Sequence, residues 1–360
     1  MISAERHEHG VPRNSGIEFL RIMAMLAIVA GHFAHQGGVM AVHGGSLLVH
    51  LFGNGALLGV NLFLLVGCWF MVDARFRWER PLRLYATVVS YTVPLTVIAL
   101  ACGVYPSTKD VLRGFLPFSG RALWFASAYI SLMALTPWLS RALNLPKRSL
   151  VGLVALLTVL VCGVSTLPDP QTAYLCNCLW FVYVYLFVGC LKRHFFRPCG
   201  RMAGLAMLAC SAVAYSAMSF AVCRGGQFGA PGMAAARLAS QYLHDCKTFP
   251  NFLVALLVFL PVVSAKSRSV PLVNWVAKSA FAVYVIHQTP AFFPFLWKDV
   301  CNVGSWVDSP HFAMFAVATV LGVYTAGCIL EPLRATVVTP LVNRLVACID
   351  GKIRSCADLV

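Results

Sequence analysis

The part of the chain that decides the fold is the segment at residues 17–35, IEFLRIMAMLAIVAGHFAH. It is apolar and long enough to cross a bilayer as a helix, yet Glu18, Arg21 and His32 lie within it. Arg21 and His32 are eleven positions apart, so both project from one helix face, roughly 16 Å apart along the axis. Ionisable groups inside a span are costly and indicate functional sites. The alternative is that Arg21 extends to the headgroups and His32 is a hydrogen-bonded packing residue.

The composition of the whole chain agrees with this segment. The 360 residues are 59% hydrophobic and 11% charged, whereas soluble domains carry about 25% charged residues. The sequence therefore predicts an all-α, polytopic transmembrane helical bundle rather than a soluble protein.

Apolar length predicts about ten spans. Nearly three times as many Lys and Arg residues fall on the side of the N-terminus as on the opposite side, which predicts that both termini are cytoplasmic. This asymmetry also explains the net charge of +15 without nucleic acid as a partner. We expect one domain over residues 1–349 and a cytoplasmic tail over 350–360. The predicted spans are 17–35, 55–73, 82–104, 122–143, 149–167, 176–192, 202–223, 249–265, 276–297 and 311–330.

The segments between the spans give further expectations. Residues 109–121 are too polar to span and are expected to form a re-entrant or interfacial piece. Residues 224–248 are predicted to be the longest polar loop, and the chain after Glu331 is expected to form an amphipathic helix on the inner surface, ending near residue 349. A disulfide is conceivable among the cysteines on the predicted outer side, but its pairing does not follow from sequence. These are Cys176, Cys178, Cys223, Cys246 and Cys301.

Two histidines are predicted to lie well inside the membrane. His32 lies roughly 22 Å from the inner edge of its span, past the midplane. His287 lies nine residues beyond Lys278, and Pro290 and Pro294 are expected to break the helix behind it and open a cavity. A neutral imidazole suits removal of a hydroxyl proton near pH 7. The alternative for His287 is that a neighbouring helix satisfies its hydrogen bonds.

Other polar residues at the membrane have two interpretations each. The arginines of residues 75–83 are suited to binding phosphates, but they also fit ordinary positive-inside topology. Asn61 and Gly67 lie within span two, where small and amide residues usually serve helix packing, and Trp124 opens span four. Glu331 is either a partner of Arg21 or of the arginine-rich loop, or a solvated interfacial carboxylate. We expect no metal site, because the other histidines lack a ligand-like pattern.

Several of these patches, in this order, resemble the acyltransferase-3 family of integral membrane acyltransferases. They are Glu18 with Arg21, ten residues and His32; VNLFLLVGCW in span two; Arg80 and Arg83 as R-x-x-R; LWF at Trp124; SAFAVYVIH ending at His287; and Glu331-Pro332. Span two departs from the family pattern, because Gly67 stands where serine is common and Cys68 where glycine is common.

The resemblance implies an acyl-CoA-dependent O-acyltransferase of the bacterial cytoplasmic membrane, typically using acetyl-CoA and acting on cell-surface glycans. In that picture His32 is the catalytic base, Arg21 and Glu18 set the geometry of the donor, and Arg80 and Arg83 hold its phosphates. The further candidate site residues are His287, Trp124, Asn61 and Glu331, which are expected either to support the catalytic residues or to line the acceptor site. Peptidoglycan, lipopolysaccharide O-antigen, exopolysaccharide and a lipid-linked precursor all stay open as the acceptor.

Two other functions compete with this one. A proton-coupled transporter or flippase of a glycan or lipid precursor would use Arg21 and His32 as a proton relay, and paired discontinuous spans would favour it. A scaffold of a polysaccharide export complex would need no chemistry from either residue.

Overall fold

The computed structural model describes residues 13–104, 107–119, 123–168 and 176–357, with side chains as far as 347. Within these ranges the chain is helical and has no strand, which confirms the all-α class. The main helices, in chain order, are α1 (Ser15–Gln36), α2 (Leu47–Gly53), α3 (Gly55–Met71), α4 (Glu79–Ala101), α5 (Thr108–Phe115), α6 (Trp124–Leu143), α7 (Lys147–Leu157), α8 (Asn177–Cys190), α9 (Arg201–Arg224), α10 (Gly229–His244), α11 (Phe249–Ser264), α12 (Pro271–Ala277), α13 (Ala280–Gln288) and α14 (Phe312–Ala357).

Shorter helical pieces complete or join several of these elements. They are the α-helical turns Val39–Val42, Val164–Thr166 and Phe293–Phe295, the π-helical turns Thr158–Gly163, Leu191–Phe195 and Leu296–Val300, and the 3₁₀ turns Pro117–Ser119, Gly225–Phe228 and Val303–Ser305.

Seven helical stretches of the described chain are long and apolar enough to cross a membrane, so the polytopic bundle is confirmed. The other three predicted spans are also helical: α6, the 16-residue α11, and the ninth, which is divided into α12 and α13. The seven stretches are Ser15–Gln36, Leu47–Met71, Glu79–Ala101, Lys147–Thr166, Asn177–Phe195, Arg201–His244 and Phe312–Ala347.

Helix α1 lies at the centre of the bundle, and its start is fixed by hydrogen bonds. Asn14 caps it, because the Asn14 side chain accepts from the Gly16 N–H at 3.0 Å. The Ser15 hydroxyl donates to Asn274 Oδ1 at 2.8 Å and accepts from the Val270 N–H at 2.7 Å. These bonds anchor the first turn of α1 to the start of α12.

Helix α1 also packs closely along α3. A side-chain carbon on Gly59 would lie 2.5 Å from the Ala24 carbonyl oxygen, and one on Gly31 would lie 2.4 Å from the Ala56 side chain. Both glycines are therefore required for the two helices to approach. Helix α1 further contacts α2, α11, α12, α13 and α14, so the face that carries Arg21 and His32 points into protein.

The structure corrects two expectations about the connections. Residues 224–248 are not a polar loop, because most of them form α10, which packs back against α9. Gly225 and Gly232 make this turn possible, since a side-chain carbon on Gly225 would lie 2.5 Å from the Gly232 carbonyl oxygen. Helix α14 also runs without interruption through Pro332, so the last span and the helix after Glu331 are one element. A buried ion pair between Glu331 and Arg334 bridges the turn that contains Pro332.

Two further expectations concern the segment 109–121 and the cysteines predicted to face outward. The segment 109–121 begins with α5, a short helix packed against α4, and Arg121 lies outside the described residues. The cysteines predicted to face outward (Cys176, Cys178, Cys223, Cys246 and Cys301) are all free thiols. Burial raises the pKa of the Cys246 thiol to about 12.

Candidate active site

An internal cleft lies along one face of α1. Arg21, Met25, Ile28 and His32 recur at helical spacing on that face, and the last three line the cleft. The cavity volume inside the cleft is small, about 40 Å³, and reaches about 470 Å³ only when the open space at its mouth is counted. The other lining residues come from α3, α6 and α13: Ala56, Leu57, Val60, Phe63, Trp124, Phe125, Phe281, Tyr284 and Gln288.

The walls of this cleft are mainly apolar, with polar groups concentrated near His32. Gln288 and Trp124 contribute an amide and an indole. Tyr284 belongs to the same wall, and its hydroxyl is hydrogen-bonded to the backbone at Phe125 and Ala126. A mainly apolar pocket with a few placed polar groups is typical of a small-molecule site. The predicted site residues His32 and Trp124 therefore share one cavity.

His32 and His287 are in direct contact, although 255 positions separate them. His32 Nδ1 lies 2.9 Å from His287 Nε2, and the ring planes are tilted by 47°. The other nitrogen of His287, Nδ1, lies 2.5 Å from the Val283 carbonyl oxygen. His287 is fully buried, whereas His32 is partly accessible from the cleft. The hydrogen bond of His287 Nε2 is thus made to a residue on a neighbouring helix, and that residue, His32, is the candidate base.

Two glutamines and a tryptophan, which were not among the predicted site residues, close the outer end of this pair. The Gln36 and Gln288 side chains donate to each other, at 3.3 and 3.0 Å. The Trp297 indole N–H donates to Gln36 Oε1 at 3.1 Å. Gln36 lies one turn beyond His32, and Gln288 follows His287 directly. Polar residues at that spacing in two apolar segments were the signal that could have identified them.

The helix break predicted behind His287 is present. Helix α13 ends at Gln288, and Thr289 has extended backbone geometry. Helical structure resumes at Phe293. The last turn of α13, directly before this break, is where the histidines and glutamines of α1 and α13 meet.

Arg21 lies at the other end of the α1 face. Its guanidinium donates to Glu18 at 2.9 Å, and the Arg21 side chain is 20% exposed. With a rise of 1.5 Å per residue, Arg21 lies roughly 16 Å along the axis from His32, so it does not touch that ring. It lies one turn from Met25, where the cleft begins.

The arginine-rich loop approaches Arg21 from α4. Arg80 and Arg83 lie in the first turns of α4 and are partly buried. Arg21 and Arg80 both lie in the neighbourhood of the buried Tyr129, so cations from two helices are near the same ring. Arg77 instead pairs with Glu79 at 3.2 Å.

Tyr129 also explains the departure in span two. A side-chain carbon on Gly67 would lie 2.7 Å from the Tyr129 hydroxyl oxygen. The serine common at this position in the family would therefore collide with Tyr129 unless that ring moved.

Asn61 and Glu331 lie in separate hydrogen-bond networks outside the cleft lining. Asn61 accepts from the Trp180 indole N–H at 3.1 Å and donates to Asn251 Oδ1 at 3.0 Å, which joins α3, α8 and α11. Glu331 binds Arg334 through two bonds of 2.8 Å and also accepts from the Tyr91 hydroxyl. Glu331 is therefore buried and paired with Arg334, rather than solvated or joined to Arg21 or the arginine-rich loop.

The fold and the cleft together define a polytopic helical membrane protein with an ionisable site inside its bundle. The model of the acyltransferase-3 family, described as an acyltransferase domain, matches residues 14–329. The chain therefore belongs to this family and is a membrane acyltransferase. Comparison with curated proteins and with solved structures found no match.

Proposed function

We propose that the protein transfers an acyl group, acetyl in the simplest case, from cytoplasmic acyl-CoA to a hydroxyl of a cell-envelope glycan or its lipid-linked precursor. The observation that carries this proposal is the position of His32 on the cleft wall, on the same face of α1 as Arg21. One helix therefore offers a cation near the predicted cytoplasmic end and a proton acceptor deep in the bundle. The proposed location is the bacterial cytoplasmic membrane.

The donor would enter from the arginine-rich inner edge. Arg80 and Arg83 would bind the phosphates of the coenzyme, and Arg21, held by Glu18, would bind the donor where it enters the cleft. The acyl thioester would then extend past Met25 and Ile28 to His32. Because Arg21 lies about 16 Å along the axis from His32, its role is to place the donor and not to orient the base.

His32 would act as general base at the far end of the cleft. Its free ring nitrogen would take the proton of the acceptor hydroxyl as the oxygen attacks the thioester carbonyl. The C–S bond then breaks, and the coenzyme thiolate recovers that proton from His32. The apolar walls would exclude water, which limits hydrolysis of the thioester.

The test is a reconstituted reaction in lipid nanodiscs, with acetyl-CoA as donor and cell-envelope glycan as acceptor. Free thiol release and acetylated glycan are both measured. We expect both, and we expect the double variant Arg80→Ala with Arg83→Ala to raise the KM for acetyl-CoA at least tenfold. The matched control replaces Arg148 and Arg201, which are exposed in the first turns of α7 and α9 on the predicted inner side.

Movement of glycan or lipid across the bilayer without thiol release would instead support the transporter. If neither thiol release nor glycan acetylation appears, and the double variant of Arg80 and Arg83 binds acetyl-CoA as the wild type does, the proposal is wrong.

A further inference from the structure

We propose that His287 is a positioning residue that holds His32 in the one tautomer able to act as a base toward the cleft. This inference rests on the proposed role of His32. It adds a partner on α13 whose task is to leave the lone pair of His32 on Nε2.

The hydrogen-bond partners of His287 determine which of its ring nitrogens carries the hydrogen. The Val283 carbonyl oxygen can only accept a hydrogen bond, so His287 Nδ1, 2.5 Å away, must carry a hydrogen. The ring is fully buried, and its hydrogen-bond partners are a carbonyl oxygen and another imidazole. A buried cation without a carboxylate partner is costly, so the ring is neutral. The lone pair of His287 is therefore on Nε2.

The lone pair of His287 in turn determines which ring nitrogen of His32 carries the hydrogen. Its Nδ1 lies 2.9 Å from His287 Nε2. Because that atom carries a lone pair, His32 Nδ1 must donate the hydrogen. A neutral imidazole has one N–H, so the lone pair of His32 is on Nε2. The opposite tautomer would place two lone pairs against each other within the bundle and lose this bond.

The surroundings keep the two rings in register. The two hydrogen bonds between the side-chain amides of Gln36 and Gln288 join α1 to α13 next to the histidine pair. The edge of Trp297 lies against His287, with ring centroids 6.4 Å apart. At the other end, Ser15 binds Asn274. Helix α1 is thus fixed at both ends to the α12–α13 segment.

This arrangement also serves the proton cycle. When His32 Nε2 takes the acceptor proton, the ring becomes a cation that still donates from Nδ1 to His287. A hydrogen bond from a charged donor is stronger than one from a neutral donor, so His287 stabilises the protonated base until the leaving thiolate takes the proton back. His287 gains and loses no proton in this cycle.

The kinetic test compares two replacements of His287. Glutamine keeps an oxygen that can accept the His32 N–H, whereas leucine offers no acceptor. We expect His287→Leu to lower kcat by about 10²-fold or more with little change in KM for acetyl-CoA, since a general base contributes about 10²–10⁴. His287→Gln should recover most of that loss. The control is His244→Leu, which removes a ring on α10 that packs against His35 of α1 in a second histidine pair.

Equal impairment of the leucine and glutamine variants would show that His287 only fills space, and wild-type kcat in His287→Leu would refute the inference outright.

A second measurement does not depend on activity or on either variant. Nitrogen-15 NMR of histidine-labelled wild-type protein at neutral pH distinguishes N–H nitrogens from lone-pair nitrogens, and His32→Gln identifies the His32 signals by their loss. We expect a lone pair on His32 Nε2 and a hydrogen on Nδ1, and the reverse would overturn the inference. If the tautomer is as expected but His32→Gln remains fully active, the proposed function fails instead.

Discussion

Replacing Gly67 with alanine tests the contact between span two and Tyr129. The new carbon would lie 2.7 Å from the Tyr129 hydroxyl oxygen and 3.0 Å from its ring, where ordinary contacts begin at 3.4 Å. Tyr129 is buried, so its ring must move, and overpacking of this kind costs about 1–3 kcal/mol. Arg21 and Arg80 lie near Tyr129, so displacement of the ring should also disturb these proposed donor-binding arginines and weaken acetyl-CoA binding.

The assay is thermal unfolding in one detergent together with titration of acetyl-CoA. We expect a lower midpoint and a higher Kd for Gly67→Ala. Adding Tyr129→Phe removes the closest contact and should recover part of the stability, giving a coupling of about 0.5–3 kcal/mol. The control is Gly152→Ala, because a carbon there meets nothing within 4 Å, and alanine should be neutral or stabilising. An unchanged midpoint and Kd for Gly67→Ala would refute this reasoning.

Three further predictions concern the cleft, the buried ion pair and the thiols. Leu57→Trp should obstruct the cleft and abolish acyl transfer while acetyl-CoA binding at the inner edge persists; retained turnover would place the reaction elsewhere. Glu331→Gln should destabilise the bundle by about 3–5 kcal/mol, because it leaves the buried Arg334 without its counter-ion, and an unchanged unfolding midpoint would contradict this. At pH 8 Cys246 should resist maleimide, because its raised pKa leaves almost no thiolate, whereas the exposed Cys176 should react. Mass spectrometry of the labelled protein measures both, and faster labelling of Cys246 than of Cys176 would contradict this prediction.

Local sequence was sufficient for much of the fold. Apolar length located the helices because backbone polar groups in a bilayer must bond within their own helix. The spacing of Arg21 and His32 placed both on one face, and Met25 and Ile28 between them line the cleft. The helix break behind His287 followed from Pro290, whose ring removes a backbone donor. The prediction that Pro294 also breaks the helix was wrong, because Pro294 lies at the start of the next helical turn.

Local sequence was insufficient where distant segments meet. No spacing rule connects His32 to His287, because the contact depends on how α1 and α13 pack. Tyr129 closes over Gly67 for a similar reason. The ion pair of Glu331 could have been predicted from local sequence. Arg334 is three residues away on the same helix, and oppositely charged residues at this spacing are a known stabilising pattern. The sequence analysis looked for a distant partner and missed the local one.

The central claim is that His32 is the base of an acyl transfer inside the bundle. The most direct measurement is single-turnover acetyl transfer by wild-type protein and His32→Ala in the same nanodiscs, with acetyl-CoA bound to saturation. We predict a rate lower by about 10²–10⁴ in His32→Ala at unchanged acetyl-CoA affinity. A rate equal to that of the wild type would contradict the account.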